Sequence, residues 1–334
     1  TALPSHFEPF NGHRGTFLFL AAYYLIVFIK YNGQYLTIDN YRDYFNNDKP
    51  FTFGCGRITE NRVVEATDVV YSLTPVKMYE EPLIATKVFE IDGKKVGYIA
   101  YASFTEDVEN MKTACESLKE EGVTELVLDL RYNGGGYVST CDAFASMLAP
   151  EKNVNDEDVF IKNVYNKLLT EKVFNKRLDN KFIKKYASSN LDLKKIYALV
   201  SKGTASASEM LLVGLMPYVD VTILGEATHG KFCSGVMLTP EDIFTEAAVK
   251  EYGSLFGDWG IYVMVGSFAN SLGENPCRPA GIIPAYEVED NPFDGYLIGD
   301  ENETMLRAAL ELAGKQYPAA APTRSVSTLP YCNI

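Results

Sequence analysis

Two turns in the sequence concentrate the residue types that acyl-transfer chemistry needs. Gly203-Thr204-Ala205-Ser206-Ala207-Ser208-Glu209 offers a hydroxyl nucleophile in Ser206. Asp129-Leu130-Arg131-Tyr132-Asn133-Gly134-Gly135-Gly136 offers three consecutive glycines, which let a backbone approach a ligand closely and aim N–H groups at a negative charge. A tight left-handed turn would use the same glycines for shape alone. A serine hydroxyl also needs a base, and only three histidines exist: His6, His13 and His229, of which His229 alone falls near the two turns. Lys231, in Gly225-Glu226-Ala227-Thr228-His229-Gly230-Lys231, is the other candidate. An exposed lysine is neutral to only about 0.04% at pH 7, so a lysine base works only where burial strips its proton. Residue types leave His229 and Lys231 both open.

Competing motifs fail on single positions. Gly225, Gly230 and Lys231 nearly complete a nucleotide-binding Gly-x-x-x-x-Gly-Lys loop, but the next residue is Phe232 where magnesium needs Ser or Thr. Asp290-Asn291-Pro292-Phe293-Asp294-Gly295 begins like a calcium loop and puts Pro292 where an oxygen ligand belongs. Gly54-Cys55-Gly56 opens a dinucleotide fingerprint that Thr59 ends. No Gly-x-Ser-x-Gly elbow occurs, which speaks against an ordinary α/β-hydrolase. Cys55, Cys115, Cys141, Cys233, Cys277 and Cys332 include no Cys-x-x-Cys pair, so no zinc site is expected.

The turns need elements to hold them. Val88 to Ile91, Asp92-Gly93 and Val96 to Tyr101 read as a hairpin. Thr105 can cap a helix that puts Val108, Met111, Ala114, Cys115 and Leu118 on one face and ends at Gly122. Leu126 to Leu130 is a continuous apolar strand that delivers the glycines, followed by a helical pattern to about Leu148. The strand Ile196 to Val200 leads into the serine turn and an apolar helix, and the strand Val221 to Leu224 leads to the lysine loop. All three turns thus leave strand ends, where open α/β sheets collect their functional groups. Residues 151–195 carry eleven Lys or Arg against seven Asp or Glu and read as a solvated helical insertion. Strands around Ile261 to Val265 and a helix from Glu303 to Leu312 complete the pattern. Upstream, residues from Phe17 to Leu73 are aromatic and β-rich, with an Asn32-Gly33 turn. The apolar run Phe17 to Ile29 is short for a membrane span and lacks signal-peptide flanks, so strand pairing is the expectation.

Composition bounds the whole. Lys plus Arg number 31 against 44 Asp plus Glu, a net charge of −13 that argues against nucleic acid or an anionic membrane as the main partner. With 334 residues, 47% hydrophobic and 22% charged, the chain can bury a sizeable core, which excludes global disorder.

Val96-Gly97-Tyr98-Ile99, the Asp129 to Gly136 turn, Thr204 to Glu209, and Gly225-Glu226 through Thr228 to Gly230-Lys231 follow one another in a familiar order and spacing. From about Val88 to Gly314 the chain resembles the C-terminal processing (tail-specific) peptidases, the S41 serine peptidases, and particularly their cell-envelope members in Bacteroidetes. That resemblance implies an α/β fold: a crotonase-like (ClpP/crotonase-type) peptidase core over 81–316, a small, mostly β, partial or degenerate PDZ-like module over 1–80, and a loose tail over 317–334. It implies a catalytic Ser206 and Lys231 acting as nucleophile and general base, with Glu209 orienting them and backbone N–H groups of Ala207 and of Gly135 or Gly136 forming the oxyanion hole. It further implies hydrolysis near the C-termini of protein or peptide substrates with apolar tails, no cofactor, no metal and no nucleic acid. The implied location is the bacterial cell envelope or periplasm, with membrane association only through an anchor outside this sequence. Two positions depart from the family pattern: Pro217 stands where some members carry an Asp, and His229 where an aromatic residue is common. The alternative reading is a catalytically inactive relative kept as a peptide-binding module.

Overall fold

The computed structural model describes residues 26–37, 40, 49–58, 64–76, 81–172, 179–256, 259–291, 294 and 296–317. His6, His13, Cys332, most of the Phe17 to Ile29 run, part of the 290–295 loop and nearly all of the tail lie outside them. Two compact units divide the chain. The first draws on residues up to Glu81 and from Glu289 onward, and the second runs from Pro82 to Val288.

In the first unit, β1 (Ile26–Tyr31), β2 (Gln34–Tyr35), β3 (Phe51–Ile58) and β4 (Val64–Leu73) form an antiparallel sheet in the order β2-β1-β3-β4. Asn32 and Gly33 make its first turn at φ 47° and 81°, the pair of left-handed residues that a two-residue hairpin demands. Phe28, Tyr31, Phe51, Phe53 and Tyr71 stack across its strands, with Phe28 and Phe53 centroids 4.7 Å apart.

The second unit is built on a six-stranded sheet, order β14-β11-β10-β7-β6-β5. Its strands are β5 (Leu83–Ile91), β6 (Lys94–Tyr101), β7 (Glu125–Asp129), β10 (Lys195–Val200), β11 (Asp220–Gly225) and β14 (Tyr286–Glu287). Only the β5–β6 pair is antiparallel, closed by the expected Asp92-Gly93 turn. Leu126, Val127, Leu128, Ala198, Leu199 and Val200 are all 0% exposed, which explains their continuous apolar runs: strands covered on both faces have no polar side to alternate.

Helices α1 (Glu109–Glu120), α2 (Val138–Leu148) and α4 (Ala207–Leu215) are the crossovers of this sheet. α1 buries Met111, Ala114, Cys115 and Leu118 as the spacing predicts, but it starts at Glu109 and Thr105 does not cap it. Instead the Thr105 carbonyl accepts from Thr140 Oγ1 at 2.6 Å, tying that loop to α2.

The region 151–195 departs from the expected helical insertion. It contains β8 (Val159–Tyr165), the short α3 (Lys167–Lys172) and β9 (Asn180–Lys181). β8 pairs with β13 (Ile261–Asn270), and with β12 (Cys233–Leu238) they make a second antiparallel sheet, order β12-β13-β8-β9. Phe160 and Phe182 are its buried anchors, with ring centroids 5.5 Å apart. The many lysines of this stretch hide its apolar content in a charge count. α5 (Pro240–Ile243) and α6 (Glu246–Phe256) connect β12 to β13, and α7 (Thr304–Leu312) is capped by Glu303, whose carboxylate accepts from the Met305 and Leu306 amides. Among the described residues, no helix is long and apolar enough to cross a membrane.

Candidate active site

Three loops leave the C-terminal ends of β7, β10 and β11 and meet at one place. The first carries Asn133 and the glycines into α2. The second carries Ser206 into α4, and the third carries Lys231 into β12.

Asn133 joins the first two loops. It is fully buried, its side-chain amide donates to the Tyr101 carbonyl at 2.9 Å, and its carbonyl accepts from Ala205 N–H at 3.1 Å and Ser208 Oγ at 2.9 Å. A Cβ on Gly135, whose φ is +102°, would lie 2.8 Å from Ser206 Cβ and 2.9 Å from the Ala207 nitrogen, so only glycine lets these backbones touch. Thr204 adds a second link, since its hydroxyl donates to the Leu130 carbonyl at 2.7 Å and accepts from Ser201 N–H at 3.0 Å. Below them, Asp129 and Arg131 form a fork at the end of β7, with Nη2 to Oδ2 at 2.8 Å and Nε to Oδ1 at 3.0 Å; both side chains are 2% exposed. Tyr98 donates its hydroxyl to the same carboxylate at 2.8 Å, so the buried charges are paired and hydrogen-bonded, as burial requires.

Ser206 is half-buried at the N-cap of α4 with φ 59° and ψ −114°. A non-glycine residue held there carries backbone strain, tolerated only where the surroundings over-determine it. The determinant is Glu209. Its carboxylate, 0% exposed, accepts from Ser206 N–H and Lys231 N–H at 2.9 Å each through Oε2. Oε1 accepts from Thr228 Oγ1 and Gly230 N–H at 2.6 Å each and from Cys277 Sγ at 3.3 Å. One carboxylate therefore fastens the lysine loop to the serine turn, and His229 N–H adds a bond to the Thr204 carbonyl at 2.9 Å.

The Lys231 side chain is half-buried, and its Nζ has no ion pair or hydrogen bond among the described residues. The His229 side chain is exposed. Ala207 N–H, the first amide of α4, and Gly136 N–H have no acceptor among the described residues, while Gly135 N–H donates to Asn133 Oδ1 at 2.9 Å. No group of three or more His, Cys, Asp or Glu able to hold a metal occurs among the described residues.

The structure thus brings Ser206, Ala207, Glu209, Gly135, Gly136 and the Lys231 loop into one site. Sequence reasoning missed the fastening roles of Asn133, Thr204 and Cys277. Asn133 was readable in principle, as an amide leading directly into three glycines. Cys277 was not, because its bond to Glu209 spans 68 residues.

Serine, a loop-borne lysine and unclaimed amides at a helix start are groups that acyl-transfer chemistry can use. The model of peptidase family S41 matches residues 95–288, more than half of the chain, and the chain belongs to that family. It is 26% identical over 257 residues to a carboxyl-terminal-processing protease of Picosynechococcus, covering 75% of this chain and 51% of that one. It is 27% identical to the carboxy-terminal processing protease CtpA of Bacillus subtilis over 50% of this chain and 32% of the relative. The chain therefore spans about half, or less, of the length of these relatives. In fold it is similar to a Bacteroides fragilis protein assigned to the S41 proteases, with TM-score 0.69 and 23% identity over 87% of this chain and 73% of that one. It is also similar to the photosystem II D1 C-terminal processing protease, with TM-score 0.50 and 19% identity over 87% and 68%.

Proposed function

We propose that this chain is a serine endopeptidase that hydrolyses peptide bonds near the C-termini of protein substrates with apolar tails, using Ser206 and Lys231. The observation that carries the reading is the Glu209 carboxylate, which binds the nucleophile amide and the lysine amide through the same oxygen. Ser206 Oγ attacks the scissile carbonyl as Lys231 Nζ takes its proton. The tetrahedral oxyanion accepts from Ala207 N–H and Gly136 N–H. Lys231 then hands the proton to the leaving amine, and water releases the acyl-enzyme by the same route in reverse. Gly135, with its own amide engaged by Asn133, serves by letting the glycine turn lie against Ser206. The half-buried setting of Lys231 and the absence of a counter-ion for it among the described residues support the base role over the exposed His229.

In this proposal the core is of the crotonase type. The antiparallel sheet of the first unit is a PDZ-like module in which a peptide adds as a strand beside the ten-residue β4, which pairs only with β3 among the described residues. The kinship with bacterial processing proteases supports action in the cell envelope.

The test is cleavage of an unfolded polypeptide with an apolar C-terminal tail. Ser206→Ala and Lys231→Ala are each expected to lower kcat/KM by at least about 10². His229→Phe is expected to stay within about threefold of wild type, since a residue outside the proton path removes no transition-state interaction. Cleavage that survives both Ser206→Ala and Lys231→Ala overturns the dyad. Loss in His229→Phe as deep as in Lys231→Ala moves the base to the histidine, and a folded wild-type chain that binds but never cleaves points to a peptide-binding module.

A further inference from the structure

Five donors converge on Glu209, and two of them are side chains to which the proposed reaction gives no task. Thr228 Oγ1 accepts from Ile282 N–H at 2.7 Å, which commits its own proton to Glu209 Oε1 at 2.6 Å. The Cys277 thiol is fully buried, and its pKa is pushed up by burial and then by the Glu209 charge, so it stays protonated and donates to the same oxygen. The Ile282 N–H that orients the Thr228 hydroxyl and the Cys277 thiol both belong to the segment 277–282. That segment folds as a turn, with Gly281 N–H donating to the Arg278 carbonyl at 2.7 Å, and it lies directly on the lysine loop. A Cβ on Gly230 would sit 2.5 Å from the Arg278 carbonyl oxygen, and one on Gly281 would collide with that of Thr228.

The division of donors between the two carboxylate oxygens has a consequence. Oε1 is saturated by Thr228, Gly230 and Cys277, and this fixes the rotation of the carboxylate. Only in that rotation does Oε2 face the Ser206 and Lys231 amides together. We propose that Thr228 is a positioning residue of the peptidase site, and that Cys277 is its second, weaker partner. Together they hold Glu209 in the orientation that spaces the Ser206 turn and the Lys231 loop for proton transfer. The inference rests on the Ser206–Lys231 reading for its kinetic consequence, although the geometry it describes exists without it. Removing the Thr228 hydroxyl leaves Ile282 N–H buried without an acceptor and takes from Oε1 one of its two donors at 2.6 Å. The carboxylate is then free to turn, and the lysine loop loses the bond that sets its distance from Ser206.

The experiment compares Thr228→Val, Thr228→Ser and Cys277→Ser in the full chain, beside Ser206→Ala, on a peptide with an apolar C-terminus. Thr228→Val is expected to lower kcat about ten- to a hundredfold with KM within about twofold, because the effect falls on the chemical step and not on substrate binding. Amide hydrogen exchange at Gly230 and Lys231 is expected to speed up about tenfold or more in that variant while its circular dichroism spectrum stays native. Thr228→Ser and Cys277→Ser keep a donor in place and are expected to stay within about threefold of wild type. Wild-type kcat and wild-type exchange in Thr228→Val overturn the proposal. So does a Thr228→Ser variant as impaired as Thr228→Val, which would assign the effect to methyl packing. Cleavage that persists in Ser206→Ala refutes the dyad instead, and the exchange rates at Gly230 and Lys231 then still decide whether Thr228 holds the loop.

Discussion

Gly135 shows how little room the site leaves. Its φ of +102° lies where side chains are disfavoured, and an added Cβ would stand 2.8 Å from both the Ala205 carbonyl oxygen and Ser206 Cβ. Two of the three clashing atoms are backbone, so no rotamer change relieves them. Gly135→Ala is therefore expected to push the glycine turn off the serine turn, lowering kcat/KM by about 10² or more by displacing the amides proposed to hold the oxyanion. A measured kcat/KM within threefold of wild type would mean that the two turns do not meet as described. Gly134, by contrast, has open space at its Cβ position and no positive φ, and its alanine variant should be nearly silent. The run of three glycines thus contains one residue shaped by the approach to Ser206 and one, Gly136, shaped by Phe104, whose carbonyl oxygen occupies the space a Cβ would need. These separate causes could not be read from the sequence, where the three look alike.

At the scale of elements, α4 carries a test of packing against propensity. In an isolated helix, Gly214→Ala would stabilise by about 1 kcal/mol. Here the new Cβ would run into the Phe160 ring, 2.7 Å from its Cζ, inside a core where Phe160 is 0% exposed and braced by Phe182, itself packed on Tyr218. The packing cost of about 1–3 kcal/mol outweighs the propensity gain, so the variant is expected to be less stable than wild type by urea unfolding. A higher midpoint would show that β8 and α4 sit further apart. The same pair of elements marks where sequence reasoning stopped. β7, β10, β11 and the buried stripe of α1 were legible because their apolar patterns run over four residues or more. β8 was not, because Val159-Phe160-Ile161 is followed by Lys162-Asn163 and embedded in a lysine-rich stretch, and it becomes a strand through pairing with β13 about a hundred residues later. The site followed the same rule. Ser206, Glu209 and Lys231 sit in local motifs, whereas Cys277 and Ile282 reach them only through the fold.

For the whole molecule, the stability curve against pH carries a mark of one half-buried acid. Asp142, on α2, accepts from Asn180 Nδ2 with both oxygens, at 3.0 and 2.8 Å. Burial pushes its pKa up to about 7, and the Asn180 bonds offset that only in part. The folded state therefore keeps this proton up to about pH 7, whereas an unfolded aspartate releases it near ~3.9. Between those values the folded state binds more protons than the unfolded one, so the Asp142 contribution to stability is complete below pH ~4 and is lost as pH rises toward ~7. The net charge of −13 acts in the same direction, since acidification towards pH 5 lessens self-repulsion. Asp142→Asn separates the two, because an amide of the same shape does not ionise while the remaining charges still titrate. The stability difference between Asp142→Asn and wild type, measured by urea unfolding at pH 4.5, 6 and 8, is expected to move in favour of the variant by at least about 1 kcal/mol across that range. The introduced amide has to present its carbonyl oxygen to Asn180 Nδ2, because Asn180 Oδ1 is held by Asn163 Nδ2 at 2.9 Å. Any constant penalty from that rearrangement shifts the whole difference curve and leaves its slope untouched. A difference that stays flat from pH 4.5 to 8 would show that Asp142 is ionised in the folded protein throughout, and that the acidic side of the stability curve is set by the surface charge alone.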